Sequence, residues 1–149
     1  MRDCLHTHDY YPAAELIGQE LYDRISRVAI ELYNTAASYA STCGLILADT
    51  KFEFGLVSDS GSVGQQLILI DEVLTPDSSR YWPLKDYKPG GPQPSFDKQY
   101  LRDWLMSVGF RKGLESGPEG REGQGWEIDE SVVAGTTRRY QEVVEMLTG

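Results

Sequence analysis

Apolar residues recur at intervals of three and four along two long stretches of the chain, which is the spacing of one face of an α-helix. The first stretch covers residues 13 to about 42, with Pro12 suited to a first helical turn and Gly44 suited to the helix end. The second covers residues 129 to 147. The pattern therefore predicts two long helices, each with an apolar face for core packing.

The period changes after the first helix, because residues 45–56 alternate between polar and apolar side chains as a strand does. Residues 59–62, Asp-Ser-Gly-Ser, supply turn chemistry, and residues 65–73 form a second apolar strand. Two strands joined by a short turn predict an antiparallel hairpin. The fold class that follows is α+β, with an antiparallel hairpin or sheet packed with long helices.

The remaining segments are rich in proline and glycine. Residues 74–94 are predicted to form a long loop, and loops of about 20 residues in compact domains are usually functional or disordered. A short helix is predicted over residues 96–108, with Ser95 as its N-cap and Gly109 past its end. Residues 109–127 are predicted to form a second loop.

Charged residues alternate with other types at the end of the first predicted strand. Asp49, Lys51 and Glu53 would stand in a row on one face, because successive side chains of a strand point to opposite faces. The hairpin would place Asp71 opposite this row, which gathers three carboxylates and one ammonium group. The turn leaves the register open by a residue or two, and a one-residue slip would turn the row to the other face.

These charges suit a phosphate and metal site. Glu53 and Asp71 are donors of the type that Mg²⁺ uses beside substrate phosphates. After them, Asp77-Ser78-Ser79-Arg80 offers hydroxyls, amides and a guanidinium group to an anion. On spacing alone, a surface pair balanced by Lys51 and an ordinary turn after Pro76 are the simpler explanations.

Asp97 and Lys98 form a further charged pair at the predicted start of the short helix. Helix N-termini bind anions well, so the pair is a candidate for substrate contact. Ordinary charge placement at a helix end explains the two residues at least as well.

The composition narrows the function classes. The chain has 149 residues and a formal net charge of −9, which suits one domain and argues against general nucleic-acid binding. A nucleotide substrate stays compatible, because a few local cations suffice for it. Two cysteines do not make a disulfide framework, so a reducing cytoplasm is the expected location. No apolar run reaches the roughly 20 residues that span a bilayer, so no membrane partner is expected.

Four segments carry a resemblance to a known family. Residues 49–55, Asp-Thr-Lys-Phe-Glu-Phe-Gly, and residues 71–80, Asp-Glu-Val-Leu-Thr-Pro-Asp-Ser-Ser-Arg, resemble the two signature motifs of SAICAR synthetase. Residues 95–99 and 102–105 are similar to the fungal-type and related members. The resemblance runs from about Glu15 to the C-terminus, and it implies a SAICAR synthetase-like fold.

The resemblance implies a ligase of purine biosynthesis, phosphoribosylaminoimidazole-succinocarboxamide synthase. That enzyme joins L-aspartate to the carboxylate of carboxyaminoimidazole ribotide, with ATP as co-substrate and Mg²⁺ as cofactor. By resemblance, Glu53 and Asp71 would hold Mg²⁺ on the ATP phosphates. Lys51 would lie near the phosphates or the reacting carboxylate, where a cation stabilises developing negative charge.

The resemblance also implies the remaining roles. Asp77, Ser79 and Arg80 would hold the ribotide. Asp77 would also be a catalytic candidate, in addition to Lys51. Asp49 would orient Lys51 or a substrate group. The pair Asp97 and Lys98, outside the two signature motifs, would belong to a loop that closes over the substrate.

The chain departs from the family pattern at its start. Family members carry an N-terminal ATP-binding lobe before the long helix, whereas residues 1–12 are expected to be a disordered or extended segment. Residues 13–149 would then be the C-terminal portion, with negligible ligase activity alone and self-association through the surface that the lobe would cover. The alternatives are a non-catalytic fragment that retains part of the nucleotide and metal site, and an interaction module.

Overall fold

The α+β class is confirmed by the structure, a computed structural model that describes residues 10–58, 65–96, 98–110 and 127–149. These residues contain four α-helices and four strands, and the strands form two antiparallel two-stranded sheets. The elements are α1 (Tyr10–Ile17), α2 (Gln19–Thr42), β1 (Leu45–Thr50), β2 (Glu53–Ser58), β3 (Gln65–Ile70), β4 (Ser79–Pro83), α3 (Gln99–Ser107) and α4 (Glu130–Thr148), with a 3₁₀ turn at Leu84–Asp86. None of the described helices has the length and apolar character needed to cross a membrane.

The chain divides into two compact units. The first contains the chain up to Ala36 together with Phe52–Asp71, and the second contains Ala37–Lys51 together with Glu72–Gly149. Two of the three boundaries between the units, after Lys51 and after Asp71, fall inside the two signature motifs. The motif residues are therefore distributed over both units.

The first unit contains a helix break that the apolar spacing did not predict. The single helix expected over residues 13–42 is wrong, because Gly18 adopts a φ of +85° between α1 and α2. This left-handed conformation ends α1, and glycine adopts it without a steric penalty. Residues 10–12 lie in α1, so the expectation of a disordered or extended segment is wrong for them, and residues 1–9 lie outside the described residues.

The predicted hairpin is confirmed as β2 and β3 of the first unit. The ladder runs from Glu53 opposite Ile70 to Ser58 opposite Gln65. The residues that connect the strands, 59–64, lie outside the described residues.

The single strand predicted over residues 45–56 is wrong. Strand β1 ends at Thr50, β2 begins at Glu53, and the two strands belong to different sheets. The partner of β1 is β4, which lies in the segment predicted to be a loop. Ser79, Tyr81 and Pro83 are buried and alternate with less buried residues, so β4 has the two-residue period of a strand.

The core of the second unit lies among the end of α2, the β1–β4 sheet and α4. Its buried apolar side chains come from each of these elements: Ala40, Leu45, Leu47, Tyr81, Val132 and Val143. The helix predicted over residues 129–147 is confirmed as α4, with Asp129 at its N-cap position.

Helix α3 begins later than predicted. Ser95 is not its N-cap, because the helix starts at Gln99 and Lys98 occupies the cap position. The backbone N–H of Phe96 and the hydroxyl of Ser95 donate to the carbonyl of Tyr81 at 3.1 and 3.5 Å, which holds these residues against β4. Gly109 follows the helix with a φ of +94°, as its predicted position requires. Most of the second predicted loop, residues 111–126, lies outside the described residues.

Candidate functional site

A cavity of about 280 Å³ in the second unit collects most of the predicted site residues. Four cationic and three anionic side chains line it beside two serines, which gives one net positive charge in a chain of net charge −9. Such a mixture suits a ligand that carries both anionic and hydrogen-bonding groups. The lining residues are Asp49, Lys51, Glu72, Asp77, Ser78, Ser79, Arg80, Lys98 and Arg102.

The β1–β4 ladder places an ion pair in the cavity wall. Asp49 lies opposite Arg80 in the register, and Nη1 of Arg80 is 3.3 Å from Oδ2 of Asp49. The register shifts between Leu47 and Asp49, an irregularity of the kind that redirects a side chain. The sheet thus holds Arg80 beside a carboxylate at the end of β1.

The start of β4 is fixed by hydroxyl contacts. Ser79 is 4% exposed, and its Oγ lies 2.8 Å from Oγ1 of Thr50 on the paired strand. The hydroxyl of Thr75 donates to Glu72 at 2.6 Å and accepts a bond from the N–H of Ser78 at 3.1 Å. These bonds restrain the loop before β4.

A buried tyrosine on β4 also holds the same loop through a hydrogen bond. The phenol of Tyr81 donates to the carbonyl of Leu74 at 2.8 Å, and Leu74 has a φ of +60°. That conformation is unusual for a leucine and needs support from its surroundings. Burial raises the pKa of the Tyr81 phenol above its ordinary value of 10.0, so this donor keeps its proton.

Asp77 links the cavity to two helices. Nζ of Lys98 lies 3.8 Å from Oδ2 of Asp77, and the phenol of Tyr140 on α4 donates to Oδ1 at 3.2 Å. Arg102 follows Lys98 by four residues, so both point to one side of α3, and both line the cavity.

Sequence reasoning did not select Glu72, Arg102 or Tyr140. The four-residue spacing from Lys98 was a signal for Arg102, and Glu72 directly follows Asp71 in the second motif. No local signal identified Tyr140, because its contact with Asp77 spans 63 residues of sequence.

Glu53 and Asp71, the predicted magnesium ligands, lie in the first unit. Glu53 starts β2 opposite Ile70, and Asp71 directly follows Ile70 with a φ of +65°. The hairpin therefore brings both residues to the same end of its ladder. Two carboxylates there fit the donor preference of Mg²⁺, which often takes only one or two from the protein. Among the described residues, no group of three or more His, Cys, Asp or Glu could hold a metal ion.

Two further observations complete the placement of the predicted residues. Asp97 lies outside the described residues. A larger cavity of about 720 Å³ in the second unit is lined by none of the predicted site residues. The smaller cavity is therefore the candidate site, because the motif charges converge there.

Comparison with known proteins decides the family. A family model described as SAICAR synthetase matches residues 2–116 of the chain. The chain belongs to the SAICAR synthetase family. The resemblance inferred from the motifs is confirmed, and the family is one of enzymes.

Two curated relatives of the SAICAR synthetase family are both named phosphoribosylaminoimidazole-succinocarboxamide synthase. The protein of Desulforapulum autotrophicum is 47% identical over 141 residues, which are 95% of this chain and 43% of the relative. The protein of Methylobacillus flagellatus is 51% identical over 136 residues, 91% of this chain and 41% of the relative. The chain thus spans about two fifths of the length of these relatives.

Solved structures of the family agree with the fold. SAICAR synthase from Saccharomyces cerevisiae, complexed with SAICAR, superposes with a TM-score of 0.72 at 41% identity and covers 94% of this chain and 42% of its own. SAICAR synthetase from Pyrococcus horikoshii gives a TM-score of 0.58 at 27% identity, covering 95% of this chain and 44% of its own.

Proposed function

We propose that this chain carries part of the substrate cleft of a phosphoribosylaminoimidazole-succinocarboxamide synthase. The reaction joins L-aspartate to carboxyaminoimidazole ribotide with consumption of ATP. Membership of the SAICAR synthetase family supports this assignment. The observation that carries it is the convergence of motif residues with Lys98 around one cavity of mixed charge.

The proposed chemistry has two steps. A carboxylate oxygen of the ribotide attacks the γ-phosphorus of ATP, and ADP leaves. The amine of aspartate then attacks the acyl carbon, phosphate departs with the electrons of the carbon–oxygen bond, and loss of a proton from nitrogen gives the amide. Negative charge develops on oxygen in both steps, so fixed cations near the reacting atoms lower the barrier.

The lining residues suit these demands. Arg80 and Lys98 are placed to bind the phosphate or carboxylate of the ribotide, and Lys51 to stabilise charge at the reacting carboxylate. Asp77 offers a carboxylate to ribotide hydroxyls. Asp49 orients Arg80 through their ion pair, and the resemblance adds Lys51 or a substrate group as a further partner.

Glu53 and Asp71 are the proposed holders of Mg²⁺ on the nucleotide. When bound, the ion supplies positive charge that neutralises the phosphates. The two residues contribute carboxylate oxygens from one end of the β2–β3 hairpin.

Ligand binding tests the proposed cavity directly. SAICAR carries the ribotide phosphate and the succinyl carboxylates, so isothermal titration calorimetry with this ligand is the appropriate measurement. We expect Arg80→Gln to weaken binding about tenfold or more, because a hydrogen bond to a charged group contributes about 1.5–3 kcal/mol. Lys85→Gln, an equal charge change on an exposed residue that lines the other cavity, should stay within about twofold.

Absence of SAICAR binding at millimolar concentration would contradict the proposal, as would equal affinities for the Arg80 and Lys85 variants. The magnesium assignment has a separate test in amide hydrogen exchange of the hairpin. Mg²⁺ with ATP should slow exchange in β2 and β3, and Glu53→Gln should reduce this protection. An equal response of the Glu53 variant would remove Glu53 from the site.

A further inference from the structure

Helix α4 reaches the charged cavity without lining it. The phenol of Tyr140 donates to Oδ1 of Asp77 at 3.2 Å. The other oxygen of the same carboxylate, Oδ2, lies 3.8 Å from Nζ of Lys98. The two oxygens of one carboxylate are therefore engaged by different elements, α4 and the residue that precedes α3.

The position of α4 is set by a close contact with α3. A Cβ atom at Gly135 would lie 2.7 Å from Cε1 of Tyr100, so glycine leaves the room that the ring occupies. The guanidinium of Arg139 lies over the same ring, 3.8 Å from its centroid, and donates to the carbonyl of Gly135 at 3.0 Å. The ring of Tyr100 is thus held by a cation–π contact and by close helix packing.

This packing also directs the cations of α3. Tyr100 lies two residues from both Lys98 and Arg102, and residues two apart in a helix point to different sides. The backbone N–H of Arg102 donates to the carbonyl of Lys98 at 3.0 Å, so the helical geometry includes both. Tyr100 contacts α4 while Lys98 and Arg102 line the cavity.

We propose that Tyr140 is a positioning residue that holds the carboxylate of Asp77 in one orientation for substrate binding. The inference rests on the proposed function, in which Asp77 binds the ribotide. Asp77 is half exposed, and without a fixed partner at Oδ1 its side chain would lose rotamer freedom when the ligand binds. The bond from Tyr140 orders the side chain before binding. Tyr140 lies beyond residues 2–116, the part of the chain that the family model matches.

A double-mutant cycle on the 149-residue chain tests the inference. Removing one hydrogen bond should weaken SAICAR binding about three- to tenfold in Tyr140→Phe. In an Asp77→Ala background the same substitution should change affinity by less than about twofold, because nothing remains to be positioned. Tyr39→Phe is the matched control, since the Tyr39 phenol also donates to α4, to the carbonyl of Leu147 at 2.7 Å. It should leave affinity unchanged.

A purely structural role for Tyr140 would give the same loss of affinity in both backgrounds and would overturn the inference. A second cycle, measured by urea unfolding, needs no ligand. The Tyr140 and Asp77 substitutions should be non-additive in the unfolding equilibrium, and additivity there would also overturn the inference. Failure of the unmodified chain to bind SAICAR, together with non-additive unfolding, would instead locate the failure in the proposed function.

Discussion

Arg80 and Asp49 are paired across the β1–β4 ladder, and their side chains form an ion pair of 3.3 Å in the wall of the cavity. Their side chains are 40% and 59% exposed, respectively. Exposed pairs of this kind contribute about 0–1 kcal/mol to stability. The consequence of the pair therefore lies in the direction it gives to Arg80 rather than in folding energy.

Asp49→Asn should separate these two effects. We expect the free energy of unfolding to fall by less than about 1 kcal/mol, because solvent screens the pair. The affinity for SAICAR should fall about three- to tenfold, since the guanidinium then loses the carboxylate that helps to orient it before the ligand arrives. Urea unfolding and calorimetry measure the two quantities.

The control for this prediction is Asp86→Asn, which makes the same charge change in the 3₁₀ turn beside the larger cavity. Its effect on SAICAR affinity should be within about twofold. Tighter binding by the Asp49 variant would indicate that Asp49 acts only as a competing negative charge.

Helices and helix ends were predictable because their signals are local. The spacing of apolar residues predicted α4, and Gly44 and Gly109 marked helix ends through the left-handed conformation that glycine favours. Gly18 has the same conformation but lies within a continuous apolar pattern, so its break was missed.

Strand pairing was less predictable because it depends on distant residues. Alternation continues through residues 51 and 52, where the structure changes sheet, so the sequence pattern does not mark the boundary. Asp49 and Arg80 were both selected as site residues, but the predicted hairpin placed Asp71 opposite the row that runs from Asp49 to Glu53, and it paired Arg80 with neither strand. Their actual pairing required β4, a strand bounded by loop-like segments and recognisable only by its partner.

The raised pKa of the buried Tyr81 phenol makes the stability of the folded chain depend on pH. Its pKa is raised above 10.0 by burial, so the unfolded chain loses the proton at lower pH than the folded chain does. The contribution of Tyr81 to the free energy of unfolding is complete below about pH 10. It is lost as the pH rises from there through the pKa of the folded chain. Tyr81→Phe should therefore reduce the decline in melting temperature between pH 9 and 11.5.

The same substitution removes the bond to the carbonyl of Leu74, which should cost about 1 kcal/mol at neutral pH. Thermal melts by circular dichroism across this pH range measure both effects. Tyr87→Phe, at an exposed position, should leave the alkaline decline in place. A decline equally steep in the Tyr81 variant would contradict the prediction.

The β2–β3 hairpin exposes apolar side chains, and we therefore expect copies of this chain to associate with one another. Leu56, Val57, Leu69 and Ile70 are each 38–43% exposed in the first unit. By strand alternation, Leu56 and Leu69 lie on one face of the hairpin and Val57 and Ile70 on the other. Apolar surface is therefore exposed on both faces, and exposed apolar surface favours association. Sedimentation velocity should show a concentration-dependent increase in mass, and Val57→Lys should reduce it.

The matched control for Val57 is Gln66→Lys, because Gln66 is its cross-strand partner and is already polar. It adds the same charge at the neighbouring position without removing apolar surface. Equal effects of the two lysines would attribute the change to charge alone, and a constant mass for the unmodified chain would contradict self-association.

Gly135→Ala tests the contact between α3 and α4, because the contact decides whether the substitution raises or lowers the free energy of unfolding. Alanine in a helix interior is ordinarily more favourable than glycine by about 0.5–1 kcal/mol. Here the added Cβ would lie 2.7 Å from the ring of Tyr100, which is also held by Arg139, so we expect net destabilisation of about 1–3 kcal/mol in urea unfolding. In a Tyr100→Ala background the same substitution should become stabilising, because the ring no longer occupies the space.

The affinity for SAICAR should fall with the Gly135 substitution as well, since displacement of Tyr100 turns α3 and with it Lys98. Gly91→Ala is the control, because a Cβ there meets no heavy atom within 4 Å. Stabilisation by Gly135→Ala in the unmodified background would show that the ring of Tyr100 can move aside without a cost in free energy. The spacing of α3 and α4 would then not depend on this glycine.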